Sequence, residues 1–110
     1  MRGDKNCKIV AITEGFDEEL ASITRLLILS TLYILGPCTR ANIAKLLKLS
    51  WGKLSTHLSR LERAGYIERV RVITEERPRV LVKITDKGAE KLLSHLNAIL
   101  RLHEVVEARE

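Results

Sequence analysis

Residues 50–67, Ser-Trp-Gly-Lys-Leu-Ser-Thr-His-Leu-Ser-Arg-Leu-Glu-Arg-Ala-Gly-Tyr-Ile, constrain the fold more than any other stretch of the chain. On a helical wheel advancing about 100° per residue, Leu54, Leu58, Leu61 and Trp51 share one side. Gly52, Lys53, Thr56, Ser59, Arg60 and Arg63 share the other, while Glu62 turns aside. A solvated helix face ordinarily mixes acids with bases; this one presents cations, hydroxyls and a glycine. A helix lying in a DNA major groove needs that combination. Cations meet phosphate and guanine, and small hydroxyl residues let the backbone come close. Such a helix must be short, must rest on a hydrophobic body, and here runs through Gly65 straight into a strand.

The charge distribution agrees. The 110-residue chain carries a formal +5, but residues 40–83 hold eleven Lys/Arg against four Asp/Glu, and the remainder eight against ten. The basic excess therefore sits where the amphipathic helix sits. It implies a polyanionic partner, double-stranded DNA before a membrane, since no long basic helix with exposed aromatics accompanies it. Cys7 and Cys38 are too few for a disulfide scaffold, the apolar run Ile9–Ile12 is too short for a signal peptide, and Leu26–Leu35 is about half a membrane span. A soluble, cytoplasmic protein with reduced thiols is expected. The absence of Gln and the 30% charged residues lean towards a thermophilic source.

Around that helix the chain divides readily. Residues 1–17 form an extension, with Cys7–Thr13 either a short strand or a tail. Asp17-Glu18-Glu19 is expected to open a helix that runs to Leu35 and stops at Gly36-Pro37. Its second half is apolar nearly all round, so it must be covered on more than one side. Thr39 is a good N-cap for a helix from Arg40 to about Leu47, Leu49-Ser50 a tight turn, and Ser50 the cap of the basic helix, ending at Gly65. Two short helices so joined make a helix-turn-helix. Residues 66–73 and 79–84 alternate around a polar Thr74–Pro78 tip, giving a two-stranded hairpin. Thr85-Asp86 then caps a long last helix to about Glu107, along which Leu92, Leu96, Ile99, His103 and Val106 recur at heptad spacing. The expected fold is α+β and mainly helical. Residues 18–85 make the DNA-binding part, and residues 86–110 a dimerisation helix of the same domain.

This order of elements resembles the winged helix-turn-helix regulators, most nearly the small archaeal and bacterial proteins related to the multiple-antibiotic-resistance (MarR) and arsenic-resistance (ArsR) regulators. The residues that carry the likeness are Ser50–Leu58, Leu61–Ile67 and Ile84-Thr85-Asp86-Lys87-Gly88; it covers residues 18–103. The resemblance implies a homodimer joined through the first and last helices, two recognition helices in successive major grooves, and a wing reaching minor groove or backbone. It also implies that Lys53, Ser55, Thr56 and Arg60 face DNA; the wheel places Ser55 only on the flank.

The DNA-binding set expected from these arguments is Arg40, Lys53, Ser55, Thr56, Ser59, Arg60, Arg63, Arg77 and Arg79, with Arg77 the wing's backbone anchor. The expected dimer contacts are Leu27, Leu92, Leu96, Ile99, His103 and Val106. Trp51 is read as a core or helix-packing residue, and His57 as a border residue that packs or bonds between helices. No cofactor or metal is expected. There is no Cys-x-Cys, and His95 and His103 lie about 12 Å apart along one helix. No Ser/His/acid or Cys/His set shares a segment and no glycine-rich phosphate loop exists, so an enzyme is not expected. Two functional classes stay open: a sequence-specific transcriptional regulator, and a winged helix used as a non-specific architectural DNA binder or protein-interaction module. Any small-molecule effector stays unknown.

Overall fold

The computed structural model describes residues 13–109; most of the Cys7–Thr13 stretch, Cys7 included, lies outside them. A 3-10 turn at Glu19–Ala21 precedes helix α1 (Ile23–Leu35), followed by α2 (Arg40–Leu47), α3 (Trp51–Arg63), strands β1 (Ile67–Ile73) and β2 (Pro78–Ile84), and the long helix α4 (Asp86–Glu107). This is the expected α+β winged helix.

Side-chain caps set most of the helix starts. Thr39 accepts from the Asn42 N–H, Ser50 from Lys53 and Thr85 from Gly88, each satisfying a donor that the first helical turn leaves unpaired. The first helix departs from expectation. Asp17–Leu35 is not one helix, because Ser22 is extended (φ −80°, ψ 124°) and caps a fresh start by accepting from the Arg25 N–H. Asp17 instead stands just before the 3-10 turn, its Oδ1 accepting from the Glu19 N–H at 2.8 Å. The α2–α3 turn closes through Lys48 in the left-handed region (φ 54°), and Gly65 (φ 81°) ends α3 where a Cβ would be strained.

One core joins all the layers. Ile28, Leu29 and Leu32 of α1 meet Ile43 of α2, Leu54, Leu58 and Leu61 of α3, Tyr66, Ile67, Val82, and Leu92 of α4. The hairpin is antiparallel with Ile67 opposite Ile84 and Ile73 opposite Pro78, leaving residues 74–77 as the tip. Cys38 adds a one-residue bridge, exchanging backbone hydrogen bonds with Val82, so the segment between α1 and α2 holds the base of the wing. The alternation read from sequence is expressed near that base, where Ile67 and Val82 are buried. It fades towards the tip, where Ile73 is 87% exposed. α4 seats against the same junction. The Thr85 N–H donates to the Tyr66 carbonyl, the Thr85 hydroxyl donates to Gly65, and Gly88 lies so close to Tyr66 that a Cβ would stand 2.2 Å from its oxygen.

Candidate nucleic-acid interface

The apolar side of α3 is buried through Leu54, Leu58 and Leu61, which turns its other side outward. Lys53, Thr56, Ser59, Arg60 and Arg63 are all exposed there. The Thr56 hydroxyl donates to the Gly52 carbonyl at 3.0 Å. Its free lone pairs therefore face outward, as an acceptor. Lys53 and Arg63 have no ion-pair partner among the described residues, and neither have Arg77 and Arg79 on the wing. At the wing tip the Thr74 hydroxyl accepts from the Arg77 N–H and donates to its carbonyl, fixing where the Arg77 side chain leaves the turn.

Arg60 is held differently. Its Nη2 and Nε reach the two carboxylate oxygens of Glu19 at 3.2 and 3.4 Å, a two-pronged pair between α3 and the 3-10 turn. Arg40 and Ser55 are also committed within the chain. The Arg40 Nη2 donates to the Ser55 hydroxyl at 2.5 Å, and its guanidinium lies over the Trp51 ring, 5.4 Å from the centroid. Trp51 corrects the sequence reading: it is 58% exposed and absent from the core. The wheel angle faces it inward, but it stands on the first turn of α3, beyond the layer the helix packs on.

A second set of residues, of which the sequence disclosed only His57, places α3 on the body. Arg25, buried in α1, donates through Nε to the Glu19 carbonyl at 2.6 Å and through Nη1 to His57 Nδ1 at 3.1 Å. His57 is thus an interhelical hydrogen-bond partner, as expected. Burial first, then the charges of Arg25, Arg60 and Lys53, hold its pKa below the ordinary value and keep the ring neutral to accept. The 3-10 turn is itself tied to the rest. The Asp17 N–H donates to His95 Nδ1 at 2.9 Å, the Tyr66 hydroxyl donates to the Asp17 carboxylate, and Phe16 packs edge-on against the His95 ring. Burial, and then the bond to Asp17, raise the Tyr66 pKa, so the phenol stays a donor. The Arg25–His57, Tyr66–Asp17 and Asp17–His95 partners lie 32, 49 and 78 residues apart, and no local pattern announces the pairings.

The expected dimer residues are distributed unevenly. Leu92 is 2% exposed and spent in the chain's own core, so it is withdrawn from the proposed contacts. Leu96 is half-buried against that core. Leu27 and Val106 are about half exposed at 47% and 54%, Ile99 is 36% exposed, and His103 is exposed beside Glu107. Leu93 and Leu100, beside the seam, are more open than its Leu92, Leu96 and Ile99. Among the described residues no cluster of His, Cys, Asp or Glu is placed to hold a metal ion, and no helix is long and apolar enough to cross a membrane.

Residues 24–103 match the winged helix DNA-binding domain family. The chain belongs to that family. The family is one of DNA-binding transcriptional regulators and not of enzymes. A transcriptional regulator homologue from Pyrococcus horikoshii superimposes with a TM-score of 0.77 at 29% identity, over 90% of this chain and 96% of its own. The protein MJ0432 of Methanocaldococcus jannaschii is 33% identical over 86 residues, 78% of this chain and 94% of that protein. The structure of overoxidized AbfR bound to DNA is similar at a TM-score of 0.65 and 27% identity, over 81% of this chain and 68% of that one.

Proposed function

We propose that the protein is a sequence-specific transcriptional regulator acting as a homodimer, with α3 in the major groove and the wing, residues 74–79, on backbone or minor groove. The observation that carries this reading is the outer face of α3. Its Lys53, Thr56, Ser59 and Arg63 are exposed together on a helix whose opposite side is locked into the core. Side chains so placed reach base edges and phosphates at once. AbfR, a similar fold, is bound to DNA in its structure, which supports the same use here.

Dimerisation is supported by apolar surface that one chain leaves uncovered. Ile23 and Leu27 on α1, and Leu93, Ile99, Leu100 and Val106 on α4, are each at least 36% exposed. A two-fold pairing would bury them and set two copies of α3 about 34 Å apart, one turn of duplex.

Selecting sites from random duplex DNA with purified protein tests the proposal. The selected site should be bound ~10³-fold or more over random sequence. If a dimer contacts three to five phosphates per protomer, log K should fall with log salt at a slope of about −5 to −9. A selected site no better than random duplex would replace this reading with architectural binding. Sedimentation should show a dimer at micromolar protein, and Leu93→Glu with Leu100→Glu should yield folded monomer by burying unpaired charge in the interface.

A further inference from the structure

The Trp51 indole is unusually open for the largest apolar side chain in the protein, and it is not loose. The Arg40 guanidinium lies over the ring, Arg40 is tied to Ser55 one turn along α3, and Ser50 caps the helix immediately before it. Arg40 keeps this position although its Nε is buried without a hydrogen-bond partner. Ring and guanidinium make one platform where the start of α2 meets the start of α3, tied through Ser55 to the flank of the basic face. On that flank, α3 placed in a groove brings the platform against the sugar–phosphate strand bordering the groove, not against the base edges.

We propose that Trp51, braced by Arg40, is a DNA-backbone contact residue of this protein. The chemistry matches both halves of the strand. Deoxyribose offers an apolar surface for the indole, and the neighbouring phosphate takes the indole N–H and the guanidinium charge. The occupant is duplex DNA. A protein partner would be expected to seek an apolar patch free of charge, whereas this ring is stacked by the Arg40 guanidinium, with Lys53 two residues on, in the most basic part of the chain.

The inference rests on the DNA-binding reading above, and the protein carries its own reporter, since Trp51 is the sole tryptophan. The full chain is titrated at low salt with a labelled mixed-sequence duplex of about 30 base pairs, long enough for two half-sites. Anisotropy of the label follows binding while Trp51 emission is quenched with acrylamide. Bound duplex should reduce acrylamide quenching several-fold, saturating at the stoichiometry of the anisotropy change. Trp51→Ala should weaken selected and mixed-sequence duplexes alike, by about tenfold for the lost ring burial, whereas Trp51→Phe should retain most of the affinity. Duplex that binds while Trp51 stays fully open to acrylamide overturns this inference and leaves the DNA-binding reading standing. Protection of Trp51 without any loss in Trp51→Ala also overturns it, because the ring would then be shaded and not used. Absence of duplex binding sinks both.

Discussion

Helix α3 and the wing, the two elements proposed to meet DNA, are held under opposite structural conditions. α3 is fastened on three sides: Leu54, Leu58 and Leu61 hold it to the core, the Arg25–His57 bond holds it to α1, and Arg60 is gripped by Glu19. The wing beyond its base is held only by its own ladder and by the Thr74 turn, with Arg77 and Arg79 free of ion pairs among the described residues. These moorings fix where the α3 backbone stands, whereas the wing tip is placed by its own hairpin alone; a rigidly placed helix costs less to order on docking. On the proposed binding mode, this difference in packing would assign reading to α3 and holding to the wing.

The largest test of this contrast is at the junction that both regions share. Gly88 is required by contact, since an added Cβ would meet the Tyr66 carbonyl oxygen at 2.2 Å and its carbon and Cα at 3.0 Å, all backbone. Gly88→Ala should cost about 2–4 kcal/mol in urea unfolding by forcing α4 away from the start of β1. It should also misdirect the wing in whatever protein remains folded. An unchanged midpoint would mean that the junction yields easily and does not set the wing's direction.

Much of this arrangement was legible in the sequence, and the rest failed for identifiable reasons. Thr39, Ser50 and Thr85 disclosed their helices because capping is local chemistry, three residues from hydroxyl to amide. Gly65 disclosed the stop in the same way. The break at Ser22 was hidden by Asp17-Glu18-Glu19, whose acidic run reads as a first turn although Ser22 does the capping. Trp51 misled because a wheel gives the angle of a side chain but not whether a neighbour lies beneath it. Leu92 fits the heptad seam, yet the chain's own core claims it, and periodicity does not say which body covers a stripe. Arg60 was placed correctly on the outer face, but its grip on Glu19 spans 41 residues and depends on tertiary packing alone.

That grip sharpens the comparison at the next level. If Arg60 reads a base, as proposed, it must leave Glu19 before it can take guanine O6 and N7. Arg60→Ala should weaken the selected site about tenfold or more and random duplex much less. Glu19→Gln should act in the opposite direction and tighten both, by about threefold, since a surface pair of this kind is weak. Competition binding of the two variants against both duplexes decides it. Equal weakening by Arg60→Ala on both would show that α3 is not reading sequence.

Acid should loosen the helix's moorings and spare the wing. His95 accepts from the Asp17 N–H, and burial holds its pKa below the ordinary 6.5 despite the opposing charge of Asp17. The folded state therefore favours the neutral ring. Its stabilisation is complete above that ordinary value and is lost as pH falls through it towards the lowered folded value. His57 acts with the same sign, and residues 66–84 contain no histidine. Tm should drop by about 3 °C or more between pH 7 and pH 5.5. His95→Asn, which keeps an acceptor without a titration, should flatten the part of that drop due to His95. A drop of the same size in His95→Asn would remove the Asp17–His95 bond as its source.

The smallest effect belongs to Arg77, and its character matters more than its size. The side chain stands at the hairpin tip, its backbone pinned by Thr74 and its charge unpaired among the described residues. Removing it should leave Tm unchanged. If it meets phosphate, as proposed, Arg77→Ala should weaken selected and random duplexes by the same factor and reduce the salt slope by about one unit per site. Should Arg77→Ala instead penalise the selected site alone, the guanidinium must be entering a minor groove whose width depends on sequence. The wing would then be a reader as well, despite lacking the moorings that α3 has.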